Sequence, residues 1–196
     1  MICFSVHKNG EFICNAGMPD LTLLTAHIHG SRFDAAAGIY EVRGMQELPG
    51  DRKAHVGWVH EGLLKPGDSL IFVLIDHDEP DAPSTFKPTD SADYLREQGE
   101  YEALLQGHMG PEPSLPQLRS EIAFTVNVRD QEVTARLSER DTHMMCSLLW
   151  DKWSPDVCKV SVRSFPSAAT GAAGERTDWL RADMRVGDSF EITLLA

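Results

Sequence analysis

The sequence predicts a mainly β fold, built as two tandem homologous β-rich domains (sandwich or barrel-like sheets) joined by one linker helix. Three observations predict it. The first is a block that the chain writes twice: Trp58 leads to Lys65-Pro66-Gly67-Asp68-Ser69 and the apolar run Leu70 to Ile75, and Trp179 leads to Arg185-Val186-Gly187-Asp188-Ser189 and Phe190 to Leu195. Matches near a constant shift mark an internal repeat, and a repeat sets architecture before it sets chemistry. The second is the pattern of short apolar runs, many alternating with polar residues and punctuated by Gly, Pro, Asn and Asp, which is the strand signal. The third is that a single stretch, about 91–106, carries helix start and stop signals. Divided by the repeat, the 196 residues give a first β repeat at 1–79, an acidic, proline-rich linker with the helix at 80–118, and a second β repeat at 119–196. Units of about 80 residues sit near the lower end for independent stability, so each is expected to lean on the other.

Residues 2–16 read as a β-hairpin, with Ile2, Phe4 and Val6 alternating and Asn9-Gly10 supplying the left-handed turn. Residues 21–29 are short enough to favour a strand over two helical turns. Residues 38–45 form another strand, whose Gly44 suggests a bulge. A polar loop through Pro49-Gly50-Asp51 leads to the Trp block, and Ser69 to Asp76, apolar on both faces, is expected inside a sheet covered on both sides. Asp76 to Pro83 is acidic and broken by proline, as a linker would be. Asp90 or Ser91 offers an N-cap for the helix, Gly107 a stop, and 107–117, with Pro111, Pro113 and Pro116, a second linker segment. In the second copy Ile122 to Val126 parallels Ile2 to Val6, with Arg129-Asp130-Gln131 at the turn in place of Asn9-Gly10. Cys158 to Val162 stands for the strand near Tyr40, and 164–175 is a loop of small residues.

The formal net charge of −12 is the one compositional outlier. An acidic chain repels phosphate backbones, which argues against nucleic acid and for a protein partner of basic charge. No apolar run reaches the roughly 20 residues that span a bilayer, and the first residues lack a basic region ahead of a hydrophobic one, so neither membrane insertion nor export is expected. The four cysteines, Cys3, Cys14, Cys146 and Cys158, have neither C-x-x-C spacing nor the density of a secreted scaffold. Free thiols in a reducing compartment, by default the cytoplasm, follow.

The order of Asn-Gly hairpin, Cys14-Asn15-Ala16-Gly17, short apolar segment, Trp, Leu-Lys-Pro-Gly-Asp turn, apolar strand, acidic linker and Tyr-containing helix resembles a group of small bacterial β-rich proteins, here in tandem duplicate. The resemblance covers 1–107 and, without the helix, 120–196. It is a pattern of turns and core positions, and it implies no activity.

Histidines carry the sharpest chemical option. His27 and His29 stand two apart, which on a strand turns both to one face, and His77 lies between Asp76 and Asp78. Together they are the candidate metal ligands of a small metal-assisted hydrolase or ligand-binding enzyme, although the usual zinc spacings are missing. Asp68 and Asp188 recur in the repeat; as Gly-Asp-Ser turns before a strand, they are expected to cap their own backbone rather than act as paired acid and base. Trp58 and Trp179 read as core anchors. No G-x-S-x-G or phosphate loop is present, and Gly171-Ala172-Ala173-Gly174 lacks the Lys-Ser/Thr that a P-loop needs. With no catalytic residue or cofactor indicated, the sequence favours a non-enzymatic binding module, an immunity or adaptor protein for a basic partner, over the metal enzyme or a homodimeric structural protein.

Overall fold

The computed structural model describes residues 1–33, 38–107 (backbone only for 104–107), 121–166 and 176–195. The described chain runs β1 (Ile2–Lys8), β2 (Glu11–Ala16), β3 (Leu21–Ser31), β4 (Gly38–Leu48), β5 (Arg52–Leu64), β6 (Ser69–Asp76), β7 (Thr85–Pro88), α1 (Ala92–Gly107), β8 (Ala123–Val128), β9 (Gln131–Arg136), β10 (His143–Asp151), β11 (Cys158–Phe165), β12 (Thr177–Met184) and β13 (Ser189–Leu194). The segment 108–117 and most of the small-residue loop, 167–175 with its Gly171 to Gly174, lie outside the described residues.

Two open sheets result. One has six strands in the order β2-β1-β6-β13-β8-β9, the other seven in the order β12-β11-β10-β3-β4-β5-β7. This corrects the expectation of two tandem domains. β6 pairs with β13, Phe72 opposite Phe190, and β3 pairs with β10, Ile28 opposite Cys146. The first sheet therefore takes three strands from early in the chain and three from late, the second four and three, and the chain is one mostly β domain. The physical reason is edge satisfaction. Three strands alone would leave bare edges and too little core for stability, whereas joining edge to edge pairs those backbones and builds a single interior.

That interior is one continuous cluster fed by both sheets. Phe4, Phe72 and Phe190 pack in series across β1, β6 and β13, with centroid separations of 6.1 and 6.4 Å. Leu24, Ile28, Met144 and Leu148 face them from the seven-stranded sheet, all fully buried. Trp58 is buried and donates its indole N–H to the Asp81 carbonyl at 2.8 Å. Trp179 is half-buried, edge-on to Phe124 at 6.3 Å, and donates to Ser164 Oγ at 2.9 Å. Both indoles meet the usual requirement that a packed Trp place its N–H.

The repeated turns interlock. Gly67 and Gly187, at φ of 90° and 93°, adopt the left-handed conformation that glycine takes without penalty. Gly67 N–H donates to the Leu194 carbonyl and Gly187 N–H to that of Leu74; Leu194 N–H donates to Asp68 and Leu74 N–H to Asp188, all at 2.7–3.0 Å. Each turn thus closes on the final strand of the other half. As the sequence suggests, the carboxylates cap their own turns: Lys65 N–H donates to Asp68 Oδ2 at 2.9 Å, and Arg185 N–H to Asp188 Oδ2 at 2.8 Å.

Three local readings need adjustment. β6 is lined on the core side by Leu70, Phe72 and Leu74, while Ile71, Val73 and Ile75 are half-buried on the outer face, so the strand is not covered alike on both sides. The irregularity in β4 falls between Tyr40 and Arg43 rather than at Gly44. Within the stretch read as linker, Thr85–Pro88 pairs with β5 as an edge strand, where a terminal proline is tolerated. α1 then lies beside β7, tethered by stacking of Tyr94 on His55 at 5.2 Å and by Lys87 with Glu97 at 2.6 Å.

Candidate functional site

Strand alternation fixes which side chains leave the core of the seven-stranded sheet. On β3, Leu24, Ala26 and Ile28 point inward, and Thr25, His27 and His29 point outward. In register across the sheet, one row of the outer face reads Arg181, Ser161, Ser147, His27, Glu41, and its neighbours read Asp183, Lys159, Leu149, Thr25, Arg43 and Asp178, Arg163, Met145, His29, Ile39. Both halves of the chain thus supply one polar surface, with α1 beside its far end.

Hollows open on or beside it among the described residues. One, of about 690 Å³, is lined by Ser147, Ser161, Lys159, Arg163, Asp178 and Arg181 among others. It lies over two serines directly opposite each other, with longer side chains around them. A second, about 410 Å³, lies beside α1 between His55, His60, Thr85, Tyr94 and Tyr101; His60 Nε2 is 2.8 Å from Thr85 Oγ1. A third, also about 410 Å³, lies at the end of β3 and β10 by His29, Phe33, His143 and Phe165.

The predicted metal ligands divide. His27 and His29 come together as stacked rings 5.9 Å apart. His77 follows β6 in the other sheet, where its N–H donates to the Met1 carbonyl. Among the described residues, no group of three or more His, Cys, Asp or Glu side chains is placed to hold a metal ion. Burial pushes His27 below its ordinary value, opposed by Glu41 and reinforced by His29, Arg43 and Arg163. Burial likewise lowers His55, with Arg43 adding to it. For these two rings the lowering favours the neutral imidazole, which both donates and accepts.

The cysteines are all free and buried. Burial raises Cys3 and Cys14 to about 11 and Cys158 to about 12, and raises Cys146 as well. None has the thiolate character of a nucleophile at neutral pH.

Arg163, Lys159, Ser147 and Ser161 were not singled out by motif reasoning. The signal was present in Lys159-Val160-Ser161-Val162-Arg163, a strand with one apolar face and one face of cations and hydroxyl. What no motif supplies is the pairing of β10 with β3, which sets these residues beside His27. No family model matches the chain, and no curated protein or solved structure matches it at a significant level. No helix among the described residues is long and apolar enough to cross a membrane.

Proposed function

We propose that the protein is a non-enzymatic binding module that takes a protein partner on the outer face of the seven-stranded sheet. The observation that carries this reading is a reversal of charge. The chain has a net charge of −12, yet this face gathers Arg43, Lys87, Lys159, Arg163 and Arg181 against Glu41, Glu97, Asp178 and Asp183. The partner that fits is an acidic protein surface, drawn to the face locally and disfavoured elsewhere. The four buried free thiols suit a reducing compartment such as the cytoplasm. The matched positions of β1, β2, β3, β4, β5 and β6 with β8, β9, β10, β11, β12 and β13 support an origin by duplication of one interleaving unit in a small bacterial protein.

Retention of lysate proteins on immobilised wild-type protein at low and high salt tests the reading, run beside an Arg43→Glu/Lys87→Glu variant. Proteins held by wild type at low salt are expected to be lost from the variant and released by salt. Identical retention by both would refute it, as would no retention at low salt.

A second reading has its own observation. α1 is exposed along most of its described length, presents Asp93, Glu97, Glu100 and Glu102, and leaves Leu95 and Tyr101 open to solvent. An acidic helix of this kind suits a basic partner, as an immunity or adaptor protein would need. Substituting Glu100 and Glu102 by Gln would abolish retention of basic proteins under this reading, and under the first would leave the retention of acidic proteins intact.

A further inference from the structure

We propose that the hollow over Ser147 and Ser161 is an oxyanion subsite, which takes a phosphate or carboxylate group of the ligand. This rests on the binding face described above and names the chemistry of one hollow on it.

The geometry is built from adjacent strands. Ser147 on β10 and Ser161 on β11 are directly opposed, so their hydroxyls rise side by side from the sheet, strands being about 4.8 Å apart. Lys159 and Arg163 lie two residues either side of Ser161 on the same strand and face, and at about 3.3 Å per residue their side chains can lean over the serines from both ends. His27 flanks Ser147 from β3.

Neither cation is neutralised in place. Among the described residues no carboxylate lies within 4 Å of Lys159 Nζ or of the Arg163 guanidinium, whose Nη2 instead contacts the Met145 thioether at 3.0 Å. The carboxylate opposite Arg163, Asp178, is engaged by Arg181 at 2.7 Å and by Arg176 at 3.4 Å. The carboxylate opposite Lys159, Asp183, forms no ion pair with it. The remaining lining adds Arg129 and Arg181, giving four cations to two carboxylates. A half-buried guanidinium resting on a thioether lacks the bidentate acceptor that its planar fork suits. Two hydroxyls, a lysine and that guanidinium make a convergent donor set, and a hollow of about 690 Å³ is within the range of small-ligand sites.

The test uses the full chain and two probes, inorganic phosphate and citrate, titrated calorimetrically at matched ionic strength. Saturable binding of at least one probe is expected for wild type. It should weaken at least tenfold in Lys159→Gln/Arg163→Gln and stay within twofold in the control Lys53→Gln/Lys65→Gln. Ser161→Val, which fills the hollow without changing charge, is expected to weaken it as well and covers the case in which the charge variant fails to fold. Preference for phosphate assigns a phosphorylated ligand, and preference for citrate a carboxylate one. The proposal is overturned if neither probe binds saturably, or if the folded variants bind like wild type. Loss of protein retention in Arg43→Glu/Lys87→Glu with anion binding intact in wild type confirms both readings. Retention unchanged in that variant, with anion binding still dependent on Lys159 and Arg163, defeats the protein-docking reading alone.

Discussion

Replacing Asp68 by asparagine keeps the shape of its turn and removes the charge that holds it. Asp68 accepts from Asn9 Nδ2 at 2.8 Å and from Lys65 N–H at 2.9 Å, and lies 3.0 Å from Lys8 Nζ. The hydrogen bond from Asn9, then that from Lys65, then Lys8, bring its carboxyl down from 3.8 to about 2, against a smaller opposing effect of burial. At 1.36 kcal/mol per tenfold, the ceiling on that preference is about 2.5 kcal/mol. Water reaches the turn and lessens it, to about 1–2 kcal/mol. Because the folded value is the lower one, the stabilisation is complete above pH 3.8 and drains away as pH falls toward 2. Urea unfolding of wild type and Asp68→Asn at pH 7 and pH 3 reads this directly. The variant is expected to lose about 1–2 kcal/mol at pH 7, equivalent to roughly 2–8 °C in Tm for a chain of this size. The gap should narrow at pH 3. A variant as stable as wild type at pH 7, or a gap that widens on acidification, would refute the reasoning.

Three further outcomes follow from the same structure. A chain limited to residues 1–107 leaves β3 and β6 without β10 and β13, and size-exclusion chromatography with circular dichroism should find no folded monomer. Phe72→Ala, at the centre of the aromatic series, should cost about 3–5 kcal/mol in urea unfolding, and Ile71→Ala, on the opposite face of the same strand, much less. Ellman's reagent at pH 8 should label none of the four cysteines in native protein and all of them in guanidinium, since burial holds every thiol protonated.

The strands were largely legible because their information is local. Asn9-Gly10 predicts its hairpin, and φ values of 54° and 79° there match the left-handed turn. Short length placed β3, the continuous apolar run from Leu70 to Ile75 placed β6, and the N-cap at Asp90 or Ser91 placed α1 within a residue or two. The pairing of early strands with late ones was not legible, since repeats that fold apart and repeats that interleave share every local signal. That ambiguity explains the error over domains, and it also hid the candidate site. His27 and His29 were placed on one face by spacing alone, but their neighbours Ser147, Met145 and Arg163 come from a strand pair far downstream. The edge strand β7 was missed because the acidic stretch just before it, broken by Pro80 and Pro83, reads as linker.

The reciprocal closure of the two Gly-Asp turns bears on how the protein is made. β6 emerges from the ribosome with one flank ready for β1, but its other flank must wait for β13, the last of the described strands to be synthesised. Until then an apolar edge is open to solvent, and the nascent chain holds a sticky seam that neighbouring chains can find first. Folding of this topology is expected to be slow and post-translational.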